Sequence, residues 1–166
     1  IWYGAQWNGS GMWALDSHDL SWRQRLTVRE TYHDPEGESP IGEYLVNFDR
    51  KHDVLVGFGR DGRIHVYDFA DNDWTVRHEG VTSDIAPNKT ALAYDSRNGV
   101  HLLANSEGLF VYDYATNEAK GIDPVGGMPN LITTTQHMTY YDAQCNVFVF
   151  YFGKSTDRHW VYRYRQ

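Results

Sequence analysis

The sequence predicts an all-β protein made of short antiparallel strands, and three features of the chain carry this prediction. The composition, with 15 Gly and 15% aromatic residues, favours strands and tight turns over helices. Short apolar runs are separated by polar turns, such as the turn 49–53 before the run 54–58. The third feature is an apolar block that ends in an aromatic residue and an aspartate and recurs 46 and 47 residues apart: Phe48-Asp49, Tyr94-Asp95 and Tyr141-Asp142.

A second landmark follows each of these blocks. It consists of valine, tyrosine and a charged residue, and a related triplet lies nearer the start of the chain: Val66-Tyr67-Asp68, Val111-Tyr112-Asp113, Val161-Tyr162-Arg163 and the earlier Ala14-Leu15-Asp16. A repeat of about 40–50 residues built only of short strands predicts a β-propeller, because one such sheet cannot bury both of its faces alone.

Each repeat can be divided into strands. The two complete copies have four predicted strands each: 43–48, 54–58, 63–67 and 74–78, then 91–94, 100–103, 108–112 and 118–121. The first and last copies have three each: 2–6, 12–15 and 22–29, then 138–141, 147–152 and 159–164. Four antiparallel strands in one meander make one propeller blade. We therefore predict about 3.5 blades, with boundaries at 1–30, 43–79, 90–121 and 137–166.

The apolar content of individual strands predicts their place in a blade. The runs 54–58, 100–103 and 147–152 are apolar on both faces, so we expect them to be buried central strands. The segment 159–164 has no following strand in its copy, and we expect this edge to pair with another segment because open edges promote aggregation. A ring of six to eight blades needs about twice this length, so we expect closure to require a missing chain segment or a second subunit.

The turns after the third strands carry a family resemblance. Asp16 leads to Trp22 and Asp68 leads to Trp74, six residues on in each case. This pattern resembles kelch repeats in the degenerate form of galactose-oxidase-like propellers, and it implies that both tryptophans pack between blades. The Gly-Gly doublet that ends the second strand of kelch blades is degraded here. Propellers of WD repeats are the alternative: the segment 62–68 resembles their third strand, but Trp-Asp never occurs in this chain.

Charge and cysteine content limit the partners and the compartment. The net charge of −7 argues against nucleic acid or an anionic membrane as a partner. One cysteine, Cys145, excludes an intrachain disulfide. No stretch approaches the ~18 apolar residues of a membrane span. Because Ile1 lies inside a predicted strand, we expect residues to precede it. Two Asn-x-Ser/Thr triplets, at Asn8 and Asn88, support an extracellular or periplasmic location.

Candidate metal and cofactor ligands are few. The eight histidines lack metal-binding spacing, and we interpret them as strand or turn residues with satisfied hydrogen bonds. The cluster of Asp68, Asp71 and Asp73 could hold Ca²⁺, but we favour capping of turn amides by Asp68 and Asp73. We predict no cofactor and no metal.

The long connections between blades share one end of the predicted sheets with several short turns, and binding usually resides in such variable loops. We call this the long-loop end. We predict a non-enzymatic module there that binds protein or carbohydrate, with tentative contacts from Trp7, Arg60, Asp61, Glu107, Asp157 and Arg158. One alternative is an extracellular enzyme acting on polysaccharide, with its acid and base among Asp34, Asp61, Asp84, Glu107 and Asp157. Another is a structural subunit of a larger assembly.

Overall fold

A computed structural model describes residues 2–5, 12–16, 18–26, 45–59, 62–80, 82, 90–127, 137–152 and 158–164. Sheet I contains β1 (Trp2–Ala5), β2 (Met12–Leu15) and β3 (Trp22–Leu26). Sheet II contains β4 (Leu45–Asp49), β5 (Val54–Phe58), β6 (Ile64–Asp68) and β7 (Asp73–His78). Sheet III contains β8 (Ala91–Asp95), β9 (Val100–Asn105), β10 (Gly108–Asp113) and β11 (Glu118–Ile122). Sheet IV contains β12 (His137–Asp142), β13 (Val147–Phe152) and β14 (Arg158–Tyr162).

The all-β prediction is confirmed for the described ranges, which contain no helix. Consecutive strands pair antiparallel within every sheet, so each sheet is a meander. None of the described residues belongs to a helix long and apolar enough to cross a membrane. All fourteen predicted strands are present, and within the described ranges their ends match the prediction or differ from it by one or two residues.

The recurring aspartate explains why the repeat folds the same way each time. The Asp49 carboxylate accepts hydrogen bonds from the backbone N–H of Lys51 at 3.0 Å and of His52 at 3.1 Å. Asp95 and Asp142 accept from the equivalent amides in their own turns, at 2.9 to 3.0 Å. The turn then closes with a positive φ, taken up by Asp53, Gly99 and Asn146. An aspartate after the first strand therefore specifies a tight turn into the second strand.

Sheets II, III and IV stack in chain order. The first strand of sheet III, β8, lies next to the first strands of both neighbouring sheets, β4 and β12. One core joins sheet II to Leu103 and Tyr112 of sheet III, and we call this contact junction II–III. The opposite face of sheet III packs against Phe148 and Phe150 of sheet IV, which we call junction III–IV. Sheet III thus buries both faces.

The burial of the central strands matches the prediction in two of three cases. Every residue of β5 and β9 is buried. Among the β13 side chains that the structure describes, Phe148 and Phe150 face sheet III and are buried, while Val147, Val149 and Tyr151 are half-buried. The prediction is therefore wrong for β13. The face of sheet IV that points away from sheet III is more exposed. Its side chains include Tyr140 and Val161, which flank Val149 of β13 and are 49% and 62% exposed.

The two turn tryptophans occupy equivalent positions but differ in burial. Trp22 pairs with Leu15, and Trp74 pairs with Tyr67. Each tryptophan lies at the start of the last strand of its sheet, β3 or β7. Trp74 is 9% exposed, with its ring centroid 5.5 Å from that of Tyr67. Trp22 is 55% exposed, so the expectation that it packs between sheets is wrong. The difference follows from the partner, because leucine at position 15 offers no aromatic ring to stack on.

The strand β14 pairs only with β13 among the described residues, so it forms the edge of sheet IV. It ends at Tyr162, two residues before the predicted end. Arg163 stands where the other repeats have Asp68 and Asp113, and its guanidinium donates a hydrogen bond to the Cys145 carbonyl at 3.1 Å. The amide-capping aspartate of the other third strands is therefore missing here.

Candidate functional site

A cleft of about 190 Å³ lies between sheets III and IV at the long-loop end. Its lining is mainly apolar and comes from β9, β10, β13, β14 and the connection after β11: Ala104, Leu109, Pro124, Val125, Gly126, Gly127, Phe150, Trp160, Val161 and Tyr162. The cleft is concave, and aromatic side chains form one of its walls. We call it the III–IV cleft.

Small side chains on sheet III open this cleft. The repeats align through their turn aspartates, so Ala91, Ala93 and Ala104 of sheet III correspond to Leu45, Asn47 and Phe58 of sheet II. In junction II–III the position of Phe58 is fully filled, since Phe58 is 1% exposed and packs against Tyr112 with ring centroids 6.2 Å apart. In junction III–IV the corresponding residue is Ala104, and its missing ring leaves space beside Leu109.

The opposite wall of the cleft is aromatic. Trp160 and Tyr162 of β14 are half-buried and pack against the core of junction III–IV together with the buried Phe150. Burial raises the pKa of Tyr162, and the neighbouring Tyr164 adds to the rise. Tyr162 is therefore a neutral hydrogen-bond donor at physiological pH. Aromatic rings with a polar edge suit ligands that are partly apolar and partly hydroxylated.

A turn after sheet III forms the third side. The N–H of Gly127 donates to the Pro124 carbonyl at 3.0 Å and closes a four-residue turn. Gly126 adopts a φ of 93° in this turn, a conformation that other residues rarely accept. Val125 at the tip is fully exposed. The turn thus presents an apolar side chain to solvent at the cleft.

A polar network lies at the same end of sheet III but on the side of sheet II. The Asn105 amide donates to the Thr82 hydroxyl at 2.9 Å, and the Thr82 hydroxyl donates to the Glu107 carboxylate. Asn105 also accepts from the backbone N–H of Glu107 at 2.9 Å. Asn105 and Thr82 are buried, whereas Glu107 is exposed. The network fixes the turn 105–107 and holds the carboxylate of Glu107 on Thr82.

The predicted site residues fall mostly outside the described ranges: Trp7, Arg60, Asp61 and Asp157. Arg158 begins β14. Glu107 lies at the predicted end, where Thr82 holds its carboxylate. Of the five carboxylates considered for an enzyme, Asp34, Asp61, Asp84 and Asp157 lie outside the described residues.

Sequence reasoning missed the aromatic wall and the alanines that make room for it. The prediction selected loop residues, whereas the cleft is bounded by Trp160 and Tyr162 of the predicted edge strand 159–164. A comparison of equivalent positions in the repeats would have indicated the cleft. Alanine at 104 opposite phenylalanine at 58 predicts a void at one junction and a filled core at the other.

The other end of junction II–III holds a buried polar group centred on Asp49. Its carboxylate is fully buried and accepts from the Tyr94 hydroxyl at 2.7 Å, across the junction. His52 Nδ1 lies 2.9 Å from its second oxygen, and His101 Nε2 lies 3.5 Å from the same oxygen. Burial opposes ionisation of Asp49, but the contacts with His101, His52 and Tyr94 outweigh it and hold its pKa well below the ordinary value.

The role of His52 in this group is structural. Asn98 occupies the equivalent place in the next repeat and donates to Asp95 at 2.7 Å, as His52 contacts Asp49. His52 therefore caps a turn aspartate. His101 differs, because neither of its ring nitrogens makes a hydrogen bond and its side chain is fully buried. The interpretation that the histidines have satisfied hydrogen bonds is wrong for His101.

The acidic turn 68–73 behaves as a set of caps. Asp68 accepts from the backbone N–H of Ala70 at 2.7 Å, and Asp73 accepts from that of Trp74 at 2.8 Å. This agrees with the favoured interpretation of the cluster. Across the described ranges no three histidine, cysteine or acidic side chains come together in a way that could hold a metal ion. Cys145 lies exposed in the turn between β12 and β13.

The fold has a counterpart among solved structures. No protein-family model and no curated protein sequence matches this chain. A crystal structure described as an auxiliary nutrient binding protein from Bacteroides thetaiotaomicron VPI-5482 is similar, with a TM-score of 0.57 and 10% sequence identity over 91% of this chain. The chain spans 36% of the length of that protein. At this identity the similarity shows a shared all-β fold.

Proposed function

We propose that this chain is part of a kelch-like β-propeller that binds a protein or carbohydrate ligand without converting it, through its long-loop end. The III–IV cleft is the observation that carries the proposal. It is concave, aromatic and formed by two sheets, so a ligand there would contact two repeats at once. The similarity to a protein described as nutrient-binding supports a binding role, and it favours an extracellular or periplasmic location.

The propeller part of the proposal is supported by the way the sheets meet. In a propeller the first strands of successive blades lie side by side around the centre, and β4, β8 and β12 are neighbours in this order. The boundaries 1–30, 43–79, 90–121 and 137–166 then delimit two complete and two incomplete blades. Closure of the ring would require further chain or a second subunit, which would also cover β14. We expect the β14 amides to be protected in hydrogen exchange on the intact protein; unprotected amides would contradict closure at this edge.

The size of the cleft limits what enters it. A volume of about 190 Å³ accommodates one six-membered ring, since a cavity of ~150 Å³ holds benzene. A single sugar ring or an aromatic side chain of a protein could therefore stack against Trp160, with the rest of the ligand outside. Trp7, Arg60, Asp61, Asp157 and Arg158 are proposed to supply polar contacts there, and Glu107 would contribute from the neighbouring turn.

Replacement of Ala104 by phenylalanine tests this proposal directly. Phe58 already occupies the equivalent place in sheet II, so Ala104→Phe should fill the cleft within a backbone that accommodates the ring. Glycan arrays screen for sugar ligands, and NMR titrations with phenol and methyl β-D-glucopyranoside test single aromatic and sugar rings. We expect binding of the active probe to fall at least tenfold in Ala104→Phe.

Ala115→Phe is the matched control, because Ala115 is exposed in the turn between β10 and β11 at the opposite end of sheet III. It should bind like the wild type. Arg60→Ala and Glu107→Ala then separate the polar contacts from the cleft, and each should weaken binding less than Ala104→Phe. If Ala104→Phe folds and binds as tightly as the wild type, the ligand does not occupy the III–IV cleft.

A further inference from the structure

Junction II–III contains a histidine in a slot that the other repeats fill with apolar side chains. His101 is the second residue of β9, and the equivalent residues are Leu55 in β5 and Phe148 in β13. The His101 side chain is fully buried and ringed by aromatics, with centroid distances of 4.9 Å to Tyr94, 6.0 Å to Phe58 and 6.2 Å to Tyr112. The repeat therefore tolerates an apolar residue here, and histidine is the exception.

The nearest hydrogen-bond acceptor for this histidine is Oδ2 of Asp49, and it is not at hydrogen-bond distance. Both ring nitrogens of His101 are without a hydrogen bond, and the 3.5 Å from Nε2 to the Asp49 carboxylate exceeds hydrogen-bond length. The Asp49 carboxylate already accepts from the Tyr94 hydroxyl, from two backbone amides and from His52. Three of these donors lie on Oδ1 of Asp49 and His52 lies on Oδ2, so a proton added to His101 would have to share Oδ2 with His52.

The groups that face His101 come from both sheets. Sheet II contributes the Asp49 carboxylate and the His52 ring, and sheet III contributes the Tyr94 and Tyr112 hydroxyls and the Asp113 carboxylate. Burial lowers the pKa of His101, the Asp49 and Asp113 charges oppose this, and His52 adds to it. Burial outweighs the carboxylates, so the neutral ring is the form that the folded junction accepts.

We propose that His101 makes junction II–III acid-sensitive: protonation of its buried imidazole separates sheet II from sheet III, while junction III–IV, with Phe148 in the same place, stays closed. The ligand of this site is a proton, and its binding would separate sheets II and III, which share a core. Binding at the III–IV cleft would survive this step, because the cleft is built from the other face of sheet III. The inference is independent of the proposed binding function.

The sign of the pH dependence follows from linkage. A histidine whose pKa is lower in the folded than in the unfolded state releases its proton on folding, so it reduces stability as the pH falls below the unfolded value. That value is about 6.5, and below it the unfolding equilibrium constant should rise up to about tenfold per pH unit. The stabilising neutral state is fully present above about pH 7.5, and the loss continues down to the folded-state pKa.

The test compares unfolding by urea between pH 7.5 and 5.0 in the wild type, His101→Leu and His101→Phe. These variants install the residues that the repeat uses at Leu55 and Phe148. In the wild type we expect the unfolding equilibrium constant to rise by up to about tenfold per pH unit toward pH 5 because of His101. Both variants should lack this contribution to the pH dependence. His159→Leu, an exposed histidine in β14, is the control and should retain the wild-type dependence. Equal pH dependence in the wild type and both His101 variants would overturn the proposal.

Two measurements on the wild type locate the effect without relying on a variant that folds. Imidazole NMR signals of His101 should stay in the neutral form at pH 6, where a free histidine is mostly protonated. Hydrogen exchange, corrected for intrinsic rates, should show the amides of β4 and β5 losing protection between pH 7 and 5 before those of β13. Titration of His101 near pH 6.5, or equal loss of protection in β5 and β13, would contradict an acid-sensitive junction II–III.

Discussion

Junctions II–III and III–IV use the same backbone template but differ in what fills them. In junction II–III the long-loop end is closed by Phe58, and the other end holds the Asp49 group with His101. In junction III–IV the corresponding residues are Ala104 and Phe148, so the first end opens into the cleft and the second holds an apolar ring near the buried Asp95. Two positions per repeat therefore decide whether one end of a junction is filled or open, and whether the other end holds an imidazole or an apolar ring.

The tyrosine at the end of the first strand shows the same divergence. Tyr94 donates across the junction to Asp49, at 2.7 Å. Tyr141 instead donates to Asn146 in its own turn at 2.7 Å, while burial and the nearby Asp95 raise its pKa to about 12. Gly99 stands where Asn146 would be needed for the local bond of Tyr94. Asn146 therefore gives Tyr141 a hydrogen-bond partner in its own turn that Tyr94 lacks.

The largest effect is expected from exchanging the residue that separates the two junctions. Phe58→Ala should open junction II–III as Ala104 opens junction III–IV, at a cost of about 3–5 kcal/mol in unfolding free energy, because the ring is buried and leaves a cavity. Urea unfolding measures this cost. A loss below about 1 kcal/mol would contradict the conclusion that Phe58 fills junction II–III at the position where Ala104 leaves junction III–IV open.

Much of this fold follows from the sequence because the turns are specified locally. The aspartate caps, the positive-φ residues and the apolar runs are all visible in the chain, and the predicted strands match those observed. The cleft does not follow in the same way. It depends on a side chain that is absent at Ala104 and on how Trp160 lies across from it, and both are matters of packing between repeats. His101 was likewise visible, but its lack of hydrogen bonds depends on the distance at which the packing of the two sheets leaves it from Asp49.

A comparably large loss of unfolding free energy is expected from truncating Trp74, on the face of sheet II that points away from sheet III. Trp74→Ala should cost about 3–5 kcal/mol, because the ring is buried and stacks on Tyr67. Trp22→Ala is the matched control and should cost less than about 1 kcal/mol, since its side chain is more than half exposed. Thermal or urea unfolding of the two variants gives the difference. Similar losses of unfolding free energy in both variants would contradict the conclusion that the tryptophan of sheet II is stabilising because it is buried against Tyr67.

A smaller effect separates the two tyrosines. Tyr94→Phe removes a hydrogen bond to a buried carboxylate and should cost about 1.5–3 kcal/mol. Tyr141→Phe removes a bond to a neutral amide and should cost about 0.5–1.5 kcal/mol. Unfolding free energies at pH 7 give the order of the two. If Tyr141→Phe proves the more damaging, the bond across junction II–III is weaker than the local one.

The indole N–H signal of Trp160 tests the central claim most directly, namely that alanine at 104 makes the III–IV cleft a binding site. The measurement is a titration of the ¹⁵N-labelled protein with phenol and with methyl β-D-glucopyranoside, for the wild type and for Ala104→Phe. The account predicts that at least one probe shifts the Trp160 signal in a saturable way in the wild type, and that this shift disappears in Ala104→Phe. A Trp160 signal that is unmoved by both probes, or that moves equally in both proteins, would contradict it.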